Sequence, residues 1–430
     1  MIGVIGYGRS GKAVARLIEN LGEQPFVSDL KLDGSSIPYP NETGRHSGKL
    51  LEMDLLVVSP GVSVNIPILL KARERGIPVV GEVEFASRYM KGKLIAITGT
   101  NGKTTTSAMT HHMLKGKLGD KVLLGGNIYP GTPLSALVSE SKDDFLTVIE
   151  VSSYQLERIE SFHPWIAAIV NITPDHLDRH KDFKEYFNAK LNIFKNQNSE
   201  DYSILNRDDP NLSNLDPLSK SLYFSLKEKS DVFFNGTAFV RDRENKEIFS
   251  KDDLFMPGEA FLEDGMIAAL VANIVGLDWN SVRERISSFV GVEHRMETVI
   301  KEDGIWIINN SMCTNPAAFV KSLECFPDSC VIVGGRMKVD DFSPIVGAIE
   351  RLAKFAVIIG ESSDLISDKL SYRGFNNKVI ASSMEDAVSK AFNSGCDKLI
   401  LSPGASSFDW YSDFRERGDI FKKTVREIYG

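Results

Sequence analysis

Cysteine is scarce: only Cys313, Cys325, Cys330 and Cys396 occur, with no C-x-x-C pair, all late in a 430-residue chain. That spacing argues against a zinc site or a disulfide framework and predicts buried thiols. Long apolar runs are missing too, and no uninterrupted stretch could span a bilayer. No basic n-region precedes the first strand pattern at Ile2-Gly3-Val4-Ile5, so a signal-peptide layout is absent and cytoplasm is the expected compartment. There is no short-period repeat and no low-complexity tract. Excess positive charge is lacking as well. The chain carries 50 basic and 58 acidic residues, a net charge of −8. Its surface as a whole is therefore not built to grip nucleic acid or an acidic membrane, and anionic ligands need local cradles. With 42% apolar and 25% charged residues, collagen-like, disordered and coiled-coil classes are excluded.

What remains is a regular alternation. Short runs rich in Val, Ile and Leu fall at 2–5, 25–28, 55–59, 94–98, 122–124, 145–150, 167–171, 305–309, 330–333, 355–359 and 399–401. Helical patterns lie between them, at 12–21, 66–75, 104–114, 183–195, 345–352 and 384–393. Strand, crossover helix, strand predicts an α/β protein with parallel sheets buried on both faces. The segment 201–254 is more polar and reads as an antiparallel addition or insertion. Length predicts two to four domains. Fresh strands after 91–93 and 294–297 divide the chain into 1–90, 91–296 and 297–430.

Chemistry concentrates at strand ends. Gly6-Tyr7-Gly8-Arg9-Ser10-Gly11 follows a strand and opens a helix, whose free N–H groups suit a pyrophosphate. Asp29 ends the second strand, where an acid could bond a ribose or a base. Alone, this pair supports an NAD-type fold best, or a tight turn with no ligand. The run Thr98-Gly99-Thr100-Asn101-Gly102-Lys103-Thr104-Thr105-Thr106 is more specific. A strand leads into a glycine loop whose N–H groups can wrap phosphate, Lys103 adds a point charge, and the Thr104 hydroxyl suits Mg²⁺. The spacing is not G-x-x-x-x-G-K-[ST], because position 97 is Ile. Glu150, at another strand end, is placed to share the metal of Thr104. Asn171-Ile172-Thr173-Pro174-Asp175-His176 packs polar groups into one turn, with His176 a candidate second-metal ligand. By spacing alone, Lys190 is an ordinary helix-face lysine.

Taken in this order, Thr98–Thr106, Glu150–Gln155, Asn171–His180, Lys190 and His294-Arg295 resemble the Mur ligases along the whole chain. These are ATP-dependent amide ligases of peptidoglycan precursor synthesis. The compact Gly6–Gly11 turn, Ser59-Pro60-Gly61, Gly125-Gly126-Asn127 and the 401–409 stretch are most similar to the D-glutamate-adding branch. The resemblance implies three domains: a Rossmann-like UDP-binding domain, a central P-loop-type ATPase and a Rossmann-like C-terminal domain. It implies UDP-N-acetylmuramoyl-L-alanine, D-glutamate and ATP as substrates, two Mg²⁺ ions, no nucleic acid and a monomer.

By position, Gly6, Tyr7, Gly8, Arg9, Ser10, Gly11, Asp29, Ser59, Gly61, Asn127 and Ser152 would hold the UDP-sugar. Gly99, Thr100, Asn101, Gly102, Lys103, Thr104, Thr105, Arg295 and Asn310 would hold ATP. Thr104, Glu150, His176 and Lys190 would hold metal, Lys190 as a carbamate formed with CO2. Thr314, Lys338, Ser407 and Phe414 would hold the incoming amino acid. Lys103, Glu150, His176 and Lys190 would carry the chemistry: an acyl phosphate made from ATP, then attack by the amine.

Two stretches depart from the family pattern. Its Asp-Ser-Lys-Ala-Thr-Asn reads Asn310-Ser311-Met312-Cys313-Thr314-Asn315, which lacks an acid and a lysine and leaves Arg336 as a substitute cation. Its His-Asn pair on the adenine helix aligns with Phe261-Leu262. These departures predict an active ligase with relaxed amino-acid specificity, extending to basic residues such as lysine. A ligase adding another residue is the competing reading. An NAD-dependent oxidoreductase is disfavoured by Lys103, Thr104 and Glu150, and an inactive binding module by the joint presence of Glu150, His176 and Lys190.

Overall fold

The computed structural model describes residues 1–63, 65–128, 131–176, 179–241, 246–337 and 341–429. Among these, the strands form three sheets. The first is wholly parallel, in the order β3-β2-β1-β4-β5, from β1 (Ile2–Ile5), β2 (Pro25–Asp29), β3 (Asn41–Thr43), β4 (Leu55–Val58) and β5 (Val79–Gly81). The chain builds outward from β1 to one side, then returns to the other side with β4. The loops after β1 and β4 thus open a crevice between them, where ligands of such sheets bind.

The second sheet has the order β14-β13-β12-β11-β10-β9-β6-β8-β7. Its strands are β6 (Lys93–Thr98), β7 (Val122–Gly126), β8 (Leu146–Glu150), β9 (Ile166–Ile169), β10 (Tyr202–Asn206), β11 (Lys220–Ser225), β12 (Val232–Phe234), β13 (Ala238–Arg241) and β14 (Lys246–Ser250). Here β6 lies between β8 and β9, parallel to both. The loops that follow these three strands therefore converge. Leu94 to Thr98 are all buried, as expected of a strand covered by helices on both faces. The polar segment 201–254 corrects the sequence reading in part. β10, β11 and β12 continue the parallel sheet, and only β12–β13 and β13–β14 are antiparallel. Ile204, Leu205 and Phe224 are fully buried, and these few apolar positions set the register despite the surrounding charge.

The third sheet has the order β15-β16-β20-β17-β18-β19. It comprises β15 (Glu297–Glu302), β16 (Ile305–Asn309), β17 (Ser329–Gly334), β18 (Ala353–Ile359), β19 (Lys378–Ile380) and β20 (Lys398–Leu401). β15 and β16 form an antiparallel hairpin at its edge, and the other pairs are parallel. Because β20 pairs with β17, Cys330 and Cys396 come together with Cα atoms 6.0 Å apart, although 66 residues separate them in sequence. Cys313 is a buried free thiol, and Cys325 is a partly buried one.

The chain folds as two compact units: Met1–Asp253 with Glu259–Ser287, and Leu254–Gly258 with Ser288–Gly430. The first unit holds the first two sheets, and one apolar cluster runs through both, including Val83 and Phe85 beside Ile159 and Phe162. A buried carboxylate pins them together. Glu84 accepts bonds from the N–H groups of Glu160, Ser161 and Phe162, the Ser161 hydroxyl and Arg88. Burial pushes this carboxyl upward, but the bonds from Ser161, Glu160 and Phe162 outweigh it and hold it below the usual range. No described helix is long and apolar enough to cross a membrane.

Candidate active site

In the first crevice, Gly6 has φ +84° and Ser59 Oγ donates to its carbonyl at 2.8 Å. A side chain at Gly11 would collide with that carbonyl, which is why this turn needs glycine. Helix Arg9–Asn20 begins here, turning its buried face (Ala13, Val14, Leu17, Ile18) inward. Asp29 is occupied by its own loops. Oδ2 accepts Tyr7 N–H at 2.7 Å, and Oδ1 accepts those of Lys31 and Leu32. Burial raises the carboxyl, and these three backbone bonds more than offset it. Arg9 reaches the second sheet's loops, donating to the carbonyls of Gly131 and Ile128 at 2.9 and 3.2 Å. Gly8 and Gly61 are exposed, and Ser10 is half-buried.

The second crevice gathers the densest chemistry. Gly102, at φ +83°, caps helix Lys103–Leu118. A Cβ there would strike Asp264 Oδ1, which accepts the Thr106 hydroxyl at 2.6 Å. Asn171 holds the loop from the end of β9: its Oδ1 accepts Asn101 N–H at 3.0 Å and its carbonyl accepts Thr100 N–H at 2.9 Å. Lys103 Nζ folds back onto the carbonyls of Gly99 and Thr100 at 3.0 and 2.8 Å. Thr105 is buried one position beyond Thr104.

Glu150 is 2% exposed. Its Oε2 accepts the Thr104 hydroxyl at 2.7 Å, and its Oε1 accepts Asn127 Nδ2 at 3.0 Å. Among the described residues no ion pair neutralises this buried carboxylate. A hydroxyl and a carboxylate oxygen converging beside a phosphate-type loop form a hard-oxygen donor set that fits Mg²⁺. Ser152 instead closes a capping box with Gln155 at the start of helix Ser153–Leu156.

Lys190 enters the same crevice from helix Phe183–Leu191, which tightens into a 3₁₀ turn at Asn192–Phe194 instead of continuing to 195. It is 2% exposed. Its Nζ donates to Gly99 O at 2.7 Å and lies 3.4 Å from Thr98 Oγ1 and 4.8 Å from the centre of the Tyr186 ring. Burial, reinforced by the Lys103 charge, lowers its pKa to about 7. His176, at φ +54°, is half-exposed and leans on the rings of Tyr154 and Tyr186 at 5.0 and 6.3 Å.

Some supporting residues carry little signal in sequence. Tyr186 pairs its hydroxyl with Thr100 Oγ1 at 2.9 Å, and its i,i+4 spacing to Lys190 is the one clue. Asp264 and Asn171 shape the phosphate loop. Arg158 and Arg179 both donate to Val62 O, and Arg179 also to Pro60 O, which fixes the loop after Ser59.

In the second unit, Asn310 Oδ1 accepts Met296 N–H and its Nδ2 reaches Ser402 Oγ at 3.3 Å, so its side chain braces strand ends. Arg295 is exposed, next to His294 and Met296, which both have positive φ. Thr314 is half-buried and Ser407 buried. The Phe414 carbonyl accepts the Ser311 hydroxyl at 2.7 Å. Arg336 is bound by two bonds to Glu361. Lys338 lies outside the described residues. Glu293, His294 and Asp419 could together ligate a metal, but Lys422 Nζ sits 2.8 Å from Glu293 and 3.2 Å from Asp419 and supplies the positive charge there.

Residues 1–81 match the N-terminal domain described as Mur ligase MurD-like, and residues 97–272 match the Mur ligase middle domain. A UDP-N-acetylmuramoylalanine--D-glutamate ligase of Thermoanaerobacter sp. (strain X514) is 37% identical, with 99% of this chain and 98% of that protein covered. The chain belongs to the Mur ligase family. A namesake of that enzyme in Alkaliphilus oremlandii (strain OhILAs) is 35% identical over 99% of this chain and 98% of its own. Among solved structures, the UDP-N-acetylmuramate-alanine ligase of Thermotoga maritima aligns with a TM-score of 0.61 at 20% identity, covering 99% of each chain. That likeness is one of fold. This Mur ligase is thus an ATP-dependent enzyme of the α/β class.

Proposed function

We propose that this Mur ligase adds D-glutamate to UDP-N-acetylmuramoyl-L-alanine. The terminal alanyl carboxylate attacks the γ-phosphorus of ATP, giving an acyl phosphate and ADP. The amine then attacks the acyl carbon, and inorganic phosphate leaves with formation of the amide. What supports this most is the meeting of the Gly99–Thr106 loop, the buried Glu150 and the buried Lys190 at the ends of three adjacent strands. The names of the full-length relatives supply the substrates.

Lys103 would swing from the Gly99 and Thr100 carbonyls to the phosphates, a preorganised charge of the kind that dominates phosphoryl transfer. Thr104 and Glu150 would hold one Mg²⁺. His176, with Lys190 as a carbamate, would hold a second. The bound metal would spread the negative charge of the phosphates. Lys190 is suited to carbamate formation, because a neutral amine attacks CO2 and sheds a proton as the N–C bond forms. Its low pKa leaves that amine available near neutrality. Gly6–Gly11, Ser59 and Gly61 would cradle the UDP end, with Asp29 and Arg9 shaping the cradle. On this reading, 1–90, 91–296 and 297–430 are the UDP-sugar, ATP and amino-acid domains. Both nucleotide substrates place the reaction in the cytoplasm.

A second specificity is favoured by Met312 together with the Arg336–Glu361 pair. The substitute cation is already neutralised, so the site has lost part of its penalty against a basic side chain. Phosphate release from ATP with UDP-N-acetylmuramoyl-L-alanine and a panel of amino acids tests both readings. D-glutamate-dependent release is expected, with weaker release for lysine. No release with D-glutamate would refute the first, and none at millimolar lysine the second.

A further inference from the structure

At the carboxyl ends of β16, β17 and β20 lies a charge to which the preceding reading gives no task. Arg417, on helix Phe414–Tyr429, is 1% exposed. Its Nε donates to Ser311 Oγ at 3.0 Å, and its Nη2 to the carbonyls of Ser311 and Ala405 at 2.9 and 3.1 Å. One guanidinium thus joins the loop after β16 to the loop after β20. Its Nη1 is buried with no hydrogen-bond partner among the described residues. It points toward the loop after β17: a Cβ built on Gly335 would stand 3.3 Å from it. That loop is itself locked to the β20 loop, since Arg336 and Ser406 exchange backbone bonds at 3.0 Å.

No carboxylate among the described residues forms an ion pair with Arg417. Asp409 favours its charge only from a distance, and its carboxylate accepts Glu361 N–H instead. A buried cation without a counter-charge is costly, and an unsatisfied N–H adds to the cost. Folds retain such groups where a ligand supplies what is missing. Here the chain turns back beside β17, so ligands are expected at this crevice. Ser407 and Phe414, the amino-acid residues implied by the family, border the same loops.

We propose that Arg417 is a positioning residue for a carboxylate of the incoming amino acid: its fixed positive charge, set among Ser311, Ala405 and Gly335, provides the cation that Met312 does not. The proposal rests on the ligase reading above. It would let the site hold an amino-acid carboxylate while remaining indifferent to the charge at position 312.

The test compares D-glutamate with D-glutamine, which lacks the side-chain carboxylate, and with D-isoglutamine, which lacks the α-carboxylate. Wild type, R417K and R417Q are assayed with saturating ATP and UDP-sugar. A hydrogen bond to a charged group is worth about a 10- to 150-fold preference. In R417Q the preference for D-glutamate over one of the two amides should fall by about that factor, with the KM for ATP unchanged. The amide whose penalty disappears identifies the carboxylate. R417K should restore part of the preference. An unchanged preference over both amides in R417Q overturns the proposal, as does a fall that lysine does not rescue. Should R417Q fail to fold, R417K decides: a KM for D-glutamate equal to wild type overturns it, and a rise confined to that substrate supports it. Should neither fold, hydrogen exchange on the wild type decides: protection of the Ser311 and Ala405–Ser407 amides by D-glutamate supports it, and none overturns it. Wild type that ligates no D-glutamate at all refutes the ligase reading instead.

Discussion

Replacing Lys190 by methionine separates two properties that an ordinary lysine would not couple. Methionine keeps the unbranched shape and removes the amine. With a pKa of about 7, roughly half of the Lys190 side chains are neutral at pH 7, against about one in three thousand for an unperturbed lysine. That thousandfold gain in free amine is what carbamate formation needs, so K190M should be inactive. The stability effect has the opposite sense. The folded pKa lies below the unfolded value of 10.5, so the unfolded state binds more protons between the two. Below pH 7 the folded protein carries the full cost of a buried ammonium. The cost shrinks as pH rises from 7 toward 10.5 and is absent above that. The shift corresponds to an upper bound on the order of 5 kcal/mol. K190M escapes it at every pH and loses the bond to Gly99 O at every pH. The readout is therefore the slope: in CO2-free buffer, the melting temperature of K190M relative to wild type should fall as pH rises from 6 to 9. A flat difference, or a fully active K190M, would refute the reasoning.

Two further perturbations test the rest of the first unit. E150Q keeps a shape able to meet Thr104 and Asn127 but removes the buried negative charge. Phosphate release should fall by two or more orders of magnitude, roughly the ~3 kcal/mol typical of one preorganised electrostatic contact; near-normal turnover would remove Glu150 from the metal site. R179A frees the Pro60 carbonyl and leaves that of Val62 to Arg158 alone, so titration should show a raised KM for the UDP-sugar and an unchanged KM for ATP. A change in the ATP constant alone would show that Arg179 serves the phosphate loop instead.

What could be read from the sequence, and what could not, follows from the range of the forces involved. The Thr98–Thr106 loop is local: a strand, glycines and Lys-Thr lie within one turn of chain, and the folded loop keeps that order. Glu150 needs one more step, the rule that ligands gather at strand ends. Lys190 is different. Its helix face looks ordinary, and its burial comes from Gly99, 91 positions away, and from Tyr186 packed beneath it. Asp29 shows the converse. Its place at a strand end suggests a free acid, yet three backbone N–H groups already claim it. β3 and β5 have three residues each, too few to display a period, and parallel pairing alone defines them. Arg417 resembles any charged residue on an amphipathic C-terminal helix, and only the convergence of three loops around it distinguishes it.

The three sheets repeat one construction. In the first two, the chain adds strands on one side of the starting strand, β1 or β6, and then returns to its other side; in the third, β18 and β19 add outward from β17 before β20 enters between β17 and β16. At each return the loops are forced apart and their backbone N–H and C=O groups lose ladder partners. Each crevice closes that gap with a different chemistry. Beside β1, Ser59 bonds the Gly6 carbonyl and Asp29 accepts the Tyr7 N–H, which satisfies the glycine turn. Beside β6, two lysines converge on the single carbonyl of Gly99, 3.0 and 2.7 Å away, with a buried carboxylate nearby. Two ammonium groups so close repel, and the one that is more buried yields its proton. Lys190, the buried member of the pair, is therefore the one whose pKa falls, to about 7. Beside β17, one guanidinium takes the place of ladder bonds, and the two N–H donors of its Nη1 have no partner among the described residues. What meets the same backbone vacancy thus differs from sheet to sheet: a hydroxyl and a carboxylate beside β1, two ammonium groups beside β6 and a guanidinium beside β17.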